Sequence, residues 1–193
     1  MMSNSARKLP WINKMRRLRT AEARAAWMAP EHVVQRVQTD YMTAVEWLQA
    51  SPTLTWAQQW SGAADIMIGP SLRRFQQILL RQRSERSTPC YGILRADHAL
   101  DVRGFSEDGR RCWLIDSQTG RRIATYDANT HDRLVTQDMG DGALVYCLYY
   151  DTQDDRWKIE SLVQELPAGW ASRKMLQLTA EPPAIPRRIG RDA

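Results

Sequence analysis

Along residues 31–50 the apolar residues Val34, Val37, Tyr41, Ala44, Val45 and Leu48 recur at steps of three and four, the signature of one buried helix face. Pro30 precedes them, where a missing N–H costs a helix nothing. The stretch "SPTLTW" restarts the chain, with Ser51 or Thr53 expected to cap a second helix whose apolar face is Trp56, Trp60, Ala63, Ala64 and Met67. Ile68-Gly69-Pro70 breaks this pattern, because proline cannot continue the hydrogen-bond ladder. A third helix follows, with Leu72, Phe75, Ile78 and Leu79 expected to face inward. Arg81, Arg83 and Arg86 lie at its end, where cations suit the helix dipole.

After Pro89 the period changes from 3.6 to 2. In "YGILRADHALDVRGF", Gly92, Leu94, Ala96, His98, Leu100, Val102 and Gly104 form one set. The other set carries Arg95, Asp97, Asp101 and Arg103, so the stretch predicts a half-buried strand. The same alternation predicts strands over 91–105, 110–117, 121–127, 133–138, 143–150 and 156–165. Between them lie "SEDG", "QTG", "MGDG" and "DTQDD", all with turn chemistry. Connections this short require antiparallel neighbours, since a parallel crossover needs a dozen or more residues. Three helices followed by an antiparallel meander predict an α+β fold with the helices on one face of the sheet. The expected organisation is an N-terminal arm (1–30), one α+β domain (31–167) and a C-terminal tail (168–193) containing Pro182, Pro183 and Pro186.

The helix segments "DYMTAVEWLQA" and "WAQQWSGAADIMIGPSLRRFQQIL", with the closing strand "DDRWKIESLVQEL", resemble the nuclear transport factor 2-like superfamily. That resemblance implies a cone, in which three N-terminal helices pack on a strongly curved antiparallel sheet. It also implies a pocket at the cone's wide end, where enzymes of this type place an Asp or a His–Asp pair. The superfamily includes isomerases, dehydratases, transport factors and assembly subunits, so the resemblance does not choose an activity.

Charge separates the arm from the domain. Residues 1–30 hold seven Lys and Arg against Glu22 alone, whereas residues 31–179 hold 17 basic and 19 acidic side chains. Within the arm, Trp11, Met15 and Leu18 share a helical face between Lys14, Arg16, Arg17 and Arg19. With Lys8, these basic residues are candidates to contact an anionic partner: an acidic protein, a nucleic acid or a membrane surface. No apolar run approaches the ~18 residues that would span a bilayer. Cys90, Cys112 and Cys147 form no C-x-x-C, which favours a reducing compartment and a cytoplasmic location. His32, His98 and His131 lie far apart without carboxylates at ligand spacing, so no metal and no cofactor is expected.

His98 is the one strongly polar residue on its strand's apolar face. As a catalytic group it would be a general base, with Asp116, on the face of Cys112 and Leu114, to orient it. Tyr41, Tyr126 and Tyr146 are candidate phenolic donors in the same pocket. The plainer expectation is a core histidine satisfied by a backbone carbonyl or a Tyr hydroxyl. The strand pairing that would bring His98 to Asp116 does not follow from the sequence. In "YCLYYD", Tyr149 and Tyr150 cannot both be buried. With Trp157 and Trp113 they are candidates for a partner-binding aromatic patch on the sheet.

These features favour a non-enzymatic accessory or assembly domain that binds a protein partner, or a second copy, through the sheet face. The basic arm would supply a second contact. The alternatives are an isomerase- or dehydratase-like enzyme working around His98 and nucleic-acid binding through the arm.

Overall fold

A computed structural model describes residues 29–84, 90–106 and 108–166 of the chain. The basic arm with Lys8, Lys14, Arg16, Arg17 and Arg19, and the proline-containing tail, lie outside the described residues. The architecture is α+β: three helices, α1 (Glu31–Ala50), α2 (Trp56–Ile66) and α3 (Gly69–Ser84), precede a five-stranded antiparallel sheet. Its strands are β1 (Cys90–Phe105), β2 (Arg111–Asp127), β3 (Arg133–Asp138), β4 (Gly142–Asp151) and β5 (Arg156–Leu166). Among the described residues no helix is long and apolar enough to cross a membrane.

The helix starts follow local chemistry. Thr55, rather than Ser51 or Thr53, caps α2: its hydroxyl accepts from the Gln58 backbone N–H while Gln58 reaches back to the Thr55 N–H, a reciprocal capping box. At the Ile68–Pro70 break the chain pairs with the sheet edge instead. Met67 bridges Ile159, and the Ile68 N–H donates to the Ile159 carbonyl.

The sheet has five strands where the turn signals predict six. Residues 111–127 form one long strand, and "QTG" lies inside it. Asp97 pairs with Thr119 and Arg95 with Arg122, so β2 carries one more residue than β1 across this point. The extra residue is a β-bulge, and Gly120 takes the left-handed conformation (φ 60°) that a bulge of this kind needs. The Asp141 side chain accepts the Gly120 N–H and holds the bend. Beyond the bulge β2 changes partner on its second edge, pairing with β4 over 111–118 and with β3 over 122–126.

The helices cover one face of the sheet. Val33, Val37, Tyr41 and Ala44 of α1 meet Val102, Cys112, Leu114, Leu148, Trp157 and Ile159 in the main core. Polar clasps set the position of α1: Asp40 accepts the Trp157 N–H at 2.9 Å, and Gln38 donates to the Leu100 carbonyl at 3.2 Å. Lys158, almost fully buried, ties β5 to α2 by donating to the Ala64 carbonyl and pairing with Asp151 and Asp154. Ile78, predicted to face inward, is 44% exposed, whereas Leu79 is buried.

Candidate active site

Cys112, Leu114, Asp116 and Gln118 alternate along the first half of β2 and all four are buried against the helices. Cys112 and Leu114 suit a core; an amide and a carboxylate suit one only with partners, because burying a bare polar group or charge is costly. Asp116 has them. Its Oδ2 accepts from the Tyr41 hydroxyl at 2.8 Å and from Gln118 Nε2 at 2.6 Å, and His98 Nδ1 lies 2.9 Å from Oδ2 and 3.0 Å from Oδ1. Three donors from α1, β1 and β2 therefore converge on one carboxylate that is fully shielded from solvent.

Strand register brings the pair together. His98 pairs with Gln118 and Leu100 with Asp116, so His98 and Asp116 are diagonal neighbours on the helix-facing side. Asp116 only accepts here, so His98 Nδ1 carries the proton that it donates. In the neutral ring the lone pair then sits at Nε2. Nε2 is buried and has no hydrogen-bond partner. The imidazole is thus held on one side by a side-chain carboxylate, where the plainer expectation from sequence is a backbone carbonyl or a Tyr hydroxyl.

His98 lines a cavity of about 220 Å³ between α1 and the sheet. Tyr41, Val45 and Leu48 form its helix wall, Leu94 and Ala96 flank His98 on β1, and Leu144, Tyr146 and Ile159 close the far side. The Tyr41 and Tyr146 rings lie 5.3 Å apart at 51°. Burial first, then the neighbouring phenol and the Asp116 charge, push the Tyr41 hydroxyl far above the ordinary phenol range. Burial also raises Tyr146. Both phenols therefore stay protonated as donors at neutral pH. Chemically the site sets the imidazole of His98 at the cavity wall, backs it with a carboxylate that would balance an imidazolium, and places the Tyr146 phenol beside a Tyr41 hydroxyl that already donates to Asp116.

Of the other sequence candidates, Tyr126 lies outside this cavity. The β2 bulge reverses the alternation, and Tyr126 stacks on Tyr91 on the opposite face, 5.5 Å away at 15°. The four aromatic candidates for partner binding do not form one patch. Trp157 is 3% exposed in the core, and Tyr150 packs on it at 5.3 Å on the helix side. Tyr149 and Trp113 face outward, with the Arg111 guanidinium 5.2 Å from the Tyr149 ring centre. Gln118 escaped notice in the sequence because it opens the apparent turn "QTG". Its signal was its place two residues after Asp116, on the same strand face.

Among the described residues no three His, Cys, Asp or Glu side chains come together as a metal-ligand set. No protein-family model matches the chain, and no curated protein matches it.

Proposed function

We propose that the protein binds a small, largely apolar molecule in the cavity between α1 and the sheet and that His98 moves a proton on it. The observation that carries this reading is the His98–Asp116 contact at the wall of the cavity that His98 lines. In the step, Nε2 takes a proton from a carbon next to an electron-withdrawing group. The pair of electrons left behind passes into that group, and Asp116 balances the imidazolium. Return of the proton elsewhere gives isomerisation; loss of a neighbouring hydroxyl gives dehydration. The order of three helices and then an antiparallel sheet, with the cavity on the helix-covered face, supports reading the fold as a nuclear transport factor 2-like cone.

The test is a reaction that needs only a base in an apolar site: ring opening of nitrobenzisoxazole, followed by the absorbance of the released phenolate. The native chain should accelerate it, and His98→Gln should lower the rate by about a hundredfold, the scale of general-base catalysis. Equal rates for the two proteins, with both folded by circular dichroism, would remove His98 from any catalytic role.

A second reading keeps the outer sheet face as a partner surface. It is favoured by Trp113, 38% exposed, with Tyr149 diagonal to it across the β2–β4 pair. Exposed aromatics of this kind dominate interface energies when covered. On this reading the native chain self-associates at micromolar concentration, and Trp113→Glu returns it to the monomer mass in light scattering while circular dichroism is unchanged. A native monomer, or an unchanged mass in the variant, ends the self-association form of this reading.

A further inference from the structure

A second hollow of about 280 Å³ lies beside the first, between α3 and β5. Leu48, Tyr146 and Ile159 line both, so the two meet along one shared wall. Pro70, Arg74 and Ile78 follow at i, i+4 and i+8 on α3, which aligns them along one helix face beside this hollow. Met67, Phe75 and Leu162 line it as well, together with Ser71 and Ser161. Ile78 and Leu162 are 44% and 48% exposed, an apolar lining left open to water.

The lining has one charged residue, Arg74. Among the described residues Arg74 makes no ion pair or hydrogen bond with an acidic side chain. Arg36, Arg103, Arg111 and Arg121 pair with carboxylates, whereas Arg73 and Arg95 share the unpaired state of Arg74 among the described residues; what sets Arg74 apart is its place on the apolar lining of the hollow. An unpaired guanidinium beside an apolar hollow complements an anion carried on an apolar body, and its fork matches a carboxylate or a phosphate with two parallel hydrogen bonds.

We infer that the two hollows form one elongated site for an amphipathic anion, with the acidic headgroup at Arg74 and the apolar body running past Leu48, Tyr146 and Ile159 to His98. This rests on the proposed function, whose substrate class it narrows: the proton that His98 moves belongs to the end of the ligand remote from its anionic group. Binding energy gained at Arg74, away from the reacting carbon, would then hold that carbon against Nε2.

The probes are decanoate and decanol, which share an apolar chain and differ in headgroup charge. Calorimetric titration into the full chain should show decanoate binding about tenfold tighter than decanol. Arg74→Gln should remove that difference and leave decanol binding unchanged, whereas Arg74→Lys should restore part of it. In methyl and imidazole NMR spectra, decanoate should shift Ile78, Leu162 and His98 along one common binding curve. Equal affinity for acid and alcohol in the native chain would overturn the Arg74 assignment. Shifts confined to Ile78 and Leu162, or two separate curves, would overturn the single elongated site. Decanoate binding by the native chain depends on Arg74 and the apolar lining and needs no proton transfer. Failure of nitrobenzisoxazole opening with decanoate binding preserved would therefore sink the proton-transfer reading and spare this one.

Discussion

Replacing Asp116 by Ala should cost the fold about 3–5 kcal/mol, because three donors lose one acceptor at about 1–3 kcal/mol each, offset in part by no longer burying a carboxylate. Asp116 is fully buried, and Tyr41, His98 and Gln118 all donate to it. Removing the carboxylate strands three donors at once, two of them on residues that are themselves buried, and each stranded group costs about 1–3 kcal/mol. Water entering the vacated space can satisfy only part of the set. Asp116→Asn should cost less, because one oxygen still accepts, yet its amide N–H groups must face donors and force the network to rearrange. Tyr41→Phe removes a single donor and should cost about 1 kcal/mol. Urea midpoints for the three variants give the ranking directly. If Asp116→Ala unfolds at the native midpoint, the carboxylate is not the centre of the network, and the orienting role assigned to it for His98 falls as well. A loss of 3–5 kcal/mol is a large part of the ~5–15 kcal/mol that typical domains hold in total.

The legible parts of this sequence are those that repeat. The stripe from Val37 to Leu48 makes α1 plain, and Ile68–Pro70 marks the α2–α3 break because no helix continues through that proline. His98 stands out as a polar residue in an apolar set, and Asp116 shares a strand face with Cys112 and Leu114. What alternation cannot supply is register. A slip of one residue between β1 and β2 would send Asp116 to the outer face and leave His98 without it. The register depends on the bulge at Gly120, which looks like a turn in sequence because Gln-Thr-Gly is ordinary turn chemistry. The same bulge explains why Tyr126, an even number of residues from Gln118, points away from the cavity that Gln118 lines. Tyr150 and Trp157 illustrate a second limit. Alternation requires Tyr149 and Tyr150 to face opposite ways, but only the β4–β5 pairing shows that Tyr150 joins Trp157 inside while Tyr149 lies under Arg111 outside.

Raising the pH above about 9 should destabilise this fold steeply, and the cause is its buried thiols and phenols. Burial raises the Cys112 thiol well above its reference of 9.0. Burial, and then the Glu160 carboxylate that its thiol meets, push Cys147 up to about 11. Tyr41 and Tyr146 are raised above the phenol reference of 10.0, chiefly by burial. In each case the folded state keeps a proton that the unfolded chain releases, so stability falls as pH rises. These contributions are intact below pH 9.0, begin to be lost as unfolded thiols ionise, and are lost faster above pH 10.0 as unfolded phenols follow. Each group that stays protonated only in the fold subtracts about 1.4 kcal/mol per pH unit. Lys158, raised by its two aspartates despite its burial, acts in the same direction at the top of this range. Urea midpoints read by circular dichroism under reducing conditions should therefore hold level from about pH 7 to 8.5 and then drop. Cys112→Val, which keeps an apolar side chain of similar size, should delay the onset of the drop and leave the phenol-driven part above pH 10.0 in place. A midpoint that stays level to about pH 11 would mean that these groups ionise freely in the folded chain, and neither Cys112 nor the Tyr41 network could then be sealed from water as described.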